Sequence, residues 1–130
     1  MTRPTHRIRT AVIVSIALLP IAFTSSGAAA DAAKGKTAYT ANCVSCHGET
    51  GKGDGPVGAV LQPPPRDFTT ADFKFDTDED GTPGTDADLK AVISKGATAF
   101  GGNQMMAPWG GILSDADIDD VVAYIRTLKP

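Results

Sequence analysis

Two thiols and an imidazole stand together in Cys43-Val44-Ser45-Cys46-His47. The chain has 130 residues with only two cysteines, two histidines and three methionines, so this run concentrates most of its soft and nitrogen ligands. Thiols three positions apart on a tight turn can each form a thioether with one vinyl group of a haem, and the adjacent imidazole can then face the iron. C-x-x-C-H is accordingly the attachment signal for c-type haem. A thioredoxin-like redox pair would need a βαβ pattern that the sequence lacks. Zinc would need a further Cys or His, and a Cys43–Cys46 disulfide leaves His47 unexplained.

The second ligand follows from what else the chain keeps. Arg3, Arg7 and Arg9 precede an uncharged apolar run, Ala11 to Phe23, followed by the small, polar TSSGAAA. That order predicts an export signal over 1–30, cut after Ala30 with Ala28 and Ala30 as the small residues. The apolar run falls short of the roughly 20 residues a bilayer core demands. The expected mature domain is 31–130, with no stable membrane insertion after cleavage and a periplasmic location. Cleavage removes His6, Met1 and three arginines but no acidic residue, so the formal net charge moves from −3 to about −6. His47 is then the only histidine, which excludes a bis-histidine haem within one chain. Met105 and Met106 are the only methionines left to complete the iron, one coordinating and the other packing. A thioether opposite an imidazole raises the haem potential.

Positioning these groups requires helices joined by loops. Asp31–Asn42 is Ala-rich with an acidic start and runs into Cys43. Residues 48–65 carry five glycines and four prolines, which is loop chemistry, with room for one helical turn at Val57–Leu61. Asp76–Asp88 is acidic and turn-rich. Thr85 or Asp86 is a natural N-cap for a helix carrying Leu89, Val92 and Ile93, and Gly96 is its stop. Ser114 with Asp117 makes a capping-box start for a final helix. Its apolar face is Ile118, Val121, Val122, Ile125 and Leu128, with acids in the first turns and Arg126 and Lys129 near the end. No alternating strand pattern appears, so the fold class is all-α. A 42% hydrophobic content is globular, and so few metal ligands exclude multi-zinc modules and four-thiolate iron–sulfur clusters.

Over essentially the whole mature chain the sequence resembles the class I monohaem cytochromes c of bacteria: a helix into C-x-x-C-H, a downstream loop methionine, and a C-terminal helix crossing the first. The resemblance implies a cytochrome c-like helical domain around one covalent haem c. Cys43 and Cys46 would form the thioethers and His47 the proximal ligand. The family loop register, with the ligand three residues before an aromatic, selects Met106 (Met106-Ala107-Pro108-Trp109) over Met105. The shifted proline and doubled methionine depart from that pattern. Gly35 and Tyr39 correspond to positions that pack on the last helix, with Tyr124 opposite. Family members also have a prolyl carbonyl that accepts a hydrogen bond from the proximal histidine, and Pro56 is the expected residue. Trp109 is placed by its loop near a haem edge or propionate, core packing being the alternative. Arg66, after three prolines, is a candidate propionate partner or a solvated surface arginine.

Asp76-Thr77-Asp78-Glu79-Asp80-Gly81 is similar to the start of a calcium loop, with Asp76, Asp78 and Asp80 as ligands. Ala87, however, stands where a bidentate Glu belongs, and a solvated acidic loop is the alternative. The expected function is a soluble periplasmic electron carrier, not an enzyme. The acidic surface would be steered toward basic docking patches on redox partners, and nucleic acid is not an expected partner. Two rivals stay open: a haem enzyme or small-gas-binding protein with a displaceable methionine, and a haem subunit of a larger oxidoreductase complex.

Overall fold

The computed structural model describes residues 29–130. All but the last two residues of the expected export signal therefore lie outside the described residues. Four α-helices follow in order: α1 (Ala32–Asn42), α2 (Val44–His47), α3 (Asp86–Lys95) and α4 (Asp115–Thr127). Among the described residues there is no strand, and no helix is long and apolar enough to cross a membrane.

Each long helix starts where a side chain can satisfy its free N–H groups. Asp31 accepts from the Ala33 and Lys34 amides at the head of α1. Thr85 with Asp88, and Ser114 with Asp117, form reciprocal capping boxes on α3 and α4. Gly96, at φ +78°, ends α3 in a conformation that a side chain would strain. The single turn expected near Val57–Leu61 is a 3₁₀ turn at Gly58–Val60. Two further 3₁₀ turns, Phe68–Thr70 and Ala97–Phe100, fall in segments that read as loop. The first exists because the Asp67 carboxylate accepts from the Thr69 amide, a local effect with no periodic signature.

The apolar face of α4 is the centre of the core: Ile118 is 0% exposed, and Val121, Val122 and Ile125 are buried beside it. Burial of each such side chain contributes roughly 1.5–3 kcal/mol. α1 lacks a broad apolar stripe and packs by close approach instead. A Cβ on Gly35 would fall 1.8 Å from the Asp120 carbonyl oxygen, so only glycine allows the two backbones to cross here. Tyr39, one turn on, is 1% exposed and meets Tyr124 edge-on at 5.1 Å. Its hydroxyl donates to the Gly48 carbonyl at 2.8 Å, tying the helix crossing to the exit of the Cys43–His47 turn.

Candidate haem site

α1 delivers Cys43 directly into α2, so the two cysteines and His47 are carried on one short helical turn rather than a loose link. The Cys43 carbonyl accepts from the amides of Cys46 and His47 at 3.2 and 2.9 Å. The loop that follows folds back on this turn: Gly53 N–H donates to the His47 carbonyl, Gly55 N–H to Cys46 and Val57 N–H to Ser45.

Cys46 and His47 open onto a cavity of about 210 Å³. Leu61, Pro63–Pro65, Phe68, Phe73 and Phe75 form part of its wall, with Leu89, Val92 and Ile93 contributed by α3. Met105 and Met106 line the same cavity. Met106 is partly buried and packs on the core, whereas Met105 is 56% exposed. Met106 is held by its own backbone, its carbonyl accepting from the Ala97 amide and its amide donating to Asn103. The Asn103 side chain donates to the Gln62 and Pro63 carbonyls at 3.3 and 3.1 Å, joining the methionine loop to the proline loop.

The donor set fits a covalent haem on several counts. Both thiols are free. Burial, then the neighbouring Cys46, pushes the Cys43 thiol up to about 11. The His47 ring stacks on Phe68 at 4.6 Å, and burial holds its pKa below the usual value, with the Arg66 backbone offsetting part of that effect. Its Nδ1 is buried and has no partner in hydrogen-bonding geometry. An imidazole oriented by packing, beside an apolar space with the Met105 and Met106 side chains on its lining, suits a metal ligand better than an acid–base role.

The remaining expectations divide. Arg66 lines the cavity, but its guanidinium reaches Asp72 at 3.9 Å. Pro56 is exposed and outside the lining. The His47 Nδ1 expected to donate to the Pro56 carbonyl has no partner, and the backbone group that acts on the ring is that of Arg66. Trp109 also lies outside the lining. Its amide donates to the Ile93 carbonyl at the end of α3, and its side chain packs against the core from there. Asp76, Asp78 and Asp80 bring carboxylate oxygens within 4.8 Å of one another. Asp76 already accepts from the Asp80 and Gly81 amides, and nothing beyond the acidic cluster points to calcium.

Two features of the site were missed in the sequence. Asp88 lines the cavity, although it reads as one more residue of an acidic loop. The other is a pair of uncharged stretches: 55–65 and 96–114, which both contribute residues to the lining, contain no Asp, Glu, Lys or Arg at all. The exposed Val57, Val60, Met105 and Ile112 all fall within them. That signal was available as two long gaps in the charge pattern of an otherwise acidic chain.

Comparison with known proteins gives the family. Residues 32–129 match the family model for cytochrome c. The chain is 39% identical over 103 residues to cytochrome c-554(547) of Halothiobacillus neapolitanus, covering 78% of this chain and 100% of that protein. It is 33% identical over 100 residues to the cbb3-type cytochrome c oxidase subunit CcoP of Azospirillum brasilense, covering 77% of this chain but only 29% of that subunit. Among solved structures, a chain of the Kuenenia stuttgartiensis reducing HAO-like protein complex Kustc0457/Kustc0458 superposes with a TM-score of 0.63 at 36% identity. That match covers 74% of this chain and 41% of the other.

Proposed function

The chain belongs to the cytochrome c family, and we propose that it is an exported single-haem electron carrier in which Cys43 and Cys46 anchor the haem and His47 and Met106 ligate its iron. The observation that carries this reading is one apolar cavity shared by Cys46, His47 and Met106. The partial burial of Met106 against the exposure of Met105 favours the former as ligand. The bound group supplies a one-electron Fe(III)/Fe(II) couple. The chain's own residues do the rest. The thiols fix the group, His47 and Met106 would hold its iron, and the aliphatic and aromatic walls would keep water from it.

The exposed Val57, Val60, Met105 and Ile112 of the uncharged stretches suit brief contact with a redox partner, because none of them forms an ion pair that must be broken on release. The acidic remainder of the surface supplies longer-range attraction to a basic partner, which weakens as salt rises. Export fits the geometry at Asp31. Its amide nitrogen lies 2.6 Å from Asp120 Oδ1, so a cut after Ala30 would turn a hydrogen bond into an ion pair between the new terminus and α4. The mass of the protein recovered from the periplasm tests this directly, with 31–130 expected.

A second reading, a haem-bearing subunit of a larger oxidoreductase complex, is favoured by the short share of the oxidase subunit and of the HAO-like chain that this domain spans. A native-gel mass well above that of the 31–130 domain would support it over the free carrier. The carrier itself is tested by absorption. Met106→Ala should lose the iron–thioether band while Met105→Ala keeps it, and the reduced wild type should not bind carbon monoxide at neutral pH. Ready carbon monoxide binding would overturn the closed-site carrier in favour of a gas-binding or enzymatic role.

A further inference from the structure

Asp88 is a fully buried charged side chain, 1% exposed, and it stands in the wall of the cavity that holds Cys46, His47 and Met106. Burying a carboxylate is costly unless its oxygens are satisfied, and here both are. One accepts from the Thr77 amide and hydroxyl at 2.5 and 2.8 Å, the other from the Thr85 amide and hydroxyl at 2.9 and 2.8 Å. These donors, the Thr77 amide foremost, hold the carboxyl well below the usual carboxylate range in spite of its burial. All four are neutral. The cations nearest the cavity, Arg66 and Lys74, are both drawn to Asp72, while Lys90 pairs with Asp119 and Arg126 with Asp86. The charge of Asp88 is therefore solvated by dipoles but not cancelled by an ion pair. Sealed from contact with solvent, that charge is screened less than one at the surface would be.

We propose that Asp88 is a potential-setting residue: a fixed negative charge in the cavity wall that favours the more positive, oxidised iron and lowers the midpoint potential below what the ligand pair alone would give. The proposal rests on the cavity being the haem site. One electron enters or leaves, and Asp88 keeps its charge throughout. This is a use for a buried carboxylate beyond capping. Ser114 and Asp117 cap α4 equally well with both residues exposed, so the cap alone does not require burial.

The test is the midpoint potential of the haem-loaded protein, after an absorption spectrum has shown that each variant carries covalent haem. A wild type without covalent haem would remove the reading of the cavity and leave Asp88 a purely structural residue. Asp88→Asn should raise the potential, with an expected change of about tenfold in the oxidised-to-reduced ratio, or about 59 mV for one electron. The rise should persist at high salt, because the charge is buried. Thr85→Ala breaks the capping box but leaves the charge in place, so it should lower the unfolding temperature without raising the potential. Should Asp88→Asn fail to fold, Thr77→Val decides: stripping one donor from a carboxylate that stays ionised should move the potential down. The proposal is overturned by an unchanged potential in Asp88→Asn, by a rise that salt abolishes, by an equal rise in Thr85→Ala, or by a potential that rises or stays fixed in Thr77→Val.

Discussion

The crossing of α1 on α4 and the cavity wall across the core from it are built in opposite ways. At the crossing the chain removes space: Gly35 brings backbone onto backbone, and Tyr39, Ile118 and Val121 leave no exposed surface. At the cavity the chain keeps space open with prolines and rings whose shapes resist collapse, and much of that wall comes from irregular segments. The two regions share Phe68, Leu89, Ile93 and Ile125, which face the core on one side and the cavity on the other. The difference teaches that close backbone approach and buried side chains set the helix crossing, whereas the cavity is shaped by loop residues drawn from several parts of the chain.

The largest effect expected from breaking this contrast is at the crossing. Ile118→Ala should lower the free energy of unfolding by about 2–5 kcal/mol, because a fully buried side chain leaves a hole that tight packing cannot close. Denaturant unfolding of the haem-loaded protein checks it, and covalent haem should be retained. Gly35→Ala should cost about 1–3 kcal/mol by forcing the helices apart. Its signature is a loss of stability with little change in the absorption of the haem, since the strain falls on the far side of the core. Ser114→Ala should cost about 1 kcal/mol through loss of the α4 cap, read as a small drop in unfolding midpoint.

The pH dependence sharpens the comparison from the cavity side. The Asp88 carboxyl is held below its unfolded-chain value by Thr77 and Thr85. Its contribution to stability is therefore complete above about pH 4, the unfolded-chain range, and is lost as the pH falls from there toward the lower folded value. Acid unfolding of wild type and Asp88→Asn should converge as the pH drops. Curves that stay parallel down to acid unfolding would show that Asp88 contributes nothing through its charge.

Much of the frame was legible in advance. The α4 stripe, the Ser114 and Thr85 caps, the Gly96 stop and the pairing of Gly35 and Tyr39 with the last helix were written in local chemistry or in a family pattern, and the structure places them accordingly. Pro56 and Trp109 were assigned to the haem environment by position in the chain, and the structure puts neither on the cavity. The hydrogen bonds of the surrounding backbone explain why. Loop amides fold 48–57 onto α2 and leave Pro56 outside, while Trp109 is anchored to α3. Asp88 was hidden for a related reason. In sequence it is one acid among many, and its burial depends on Thr77, eleven residues upstream, closing over it.

By itself the sequence determined the ligand types and the helices, because thiol spacing, a single histidine, capping residues and a 3.6-residue apolar period all act over one or two turns. It also limited the second ligand to Met105 or Met106. Only the tertiary structure decided which methionine is the more buried, which prolines line the cavity with His47, that two uncharged segments line it too, and that one of fifteen acidic residues is sealed within its wall. Those facts depend on segments far apart in the chain meeting in space, and the packing that brings them together leaves no mark on any one of them alone.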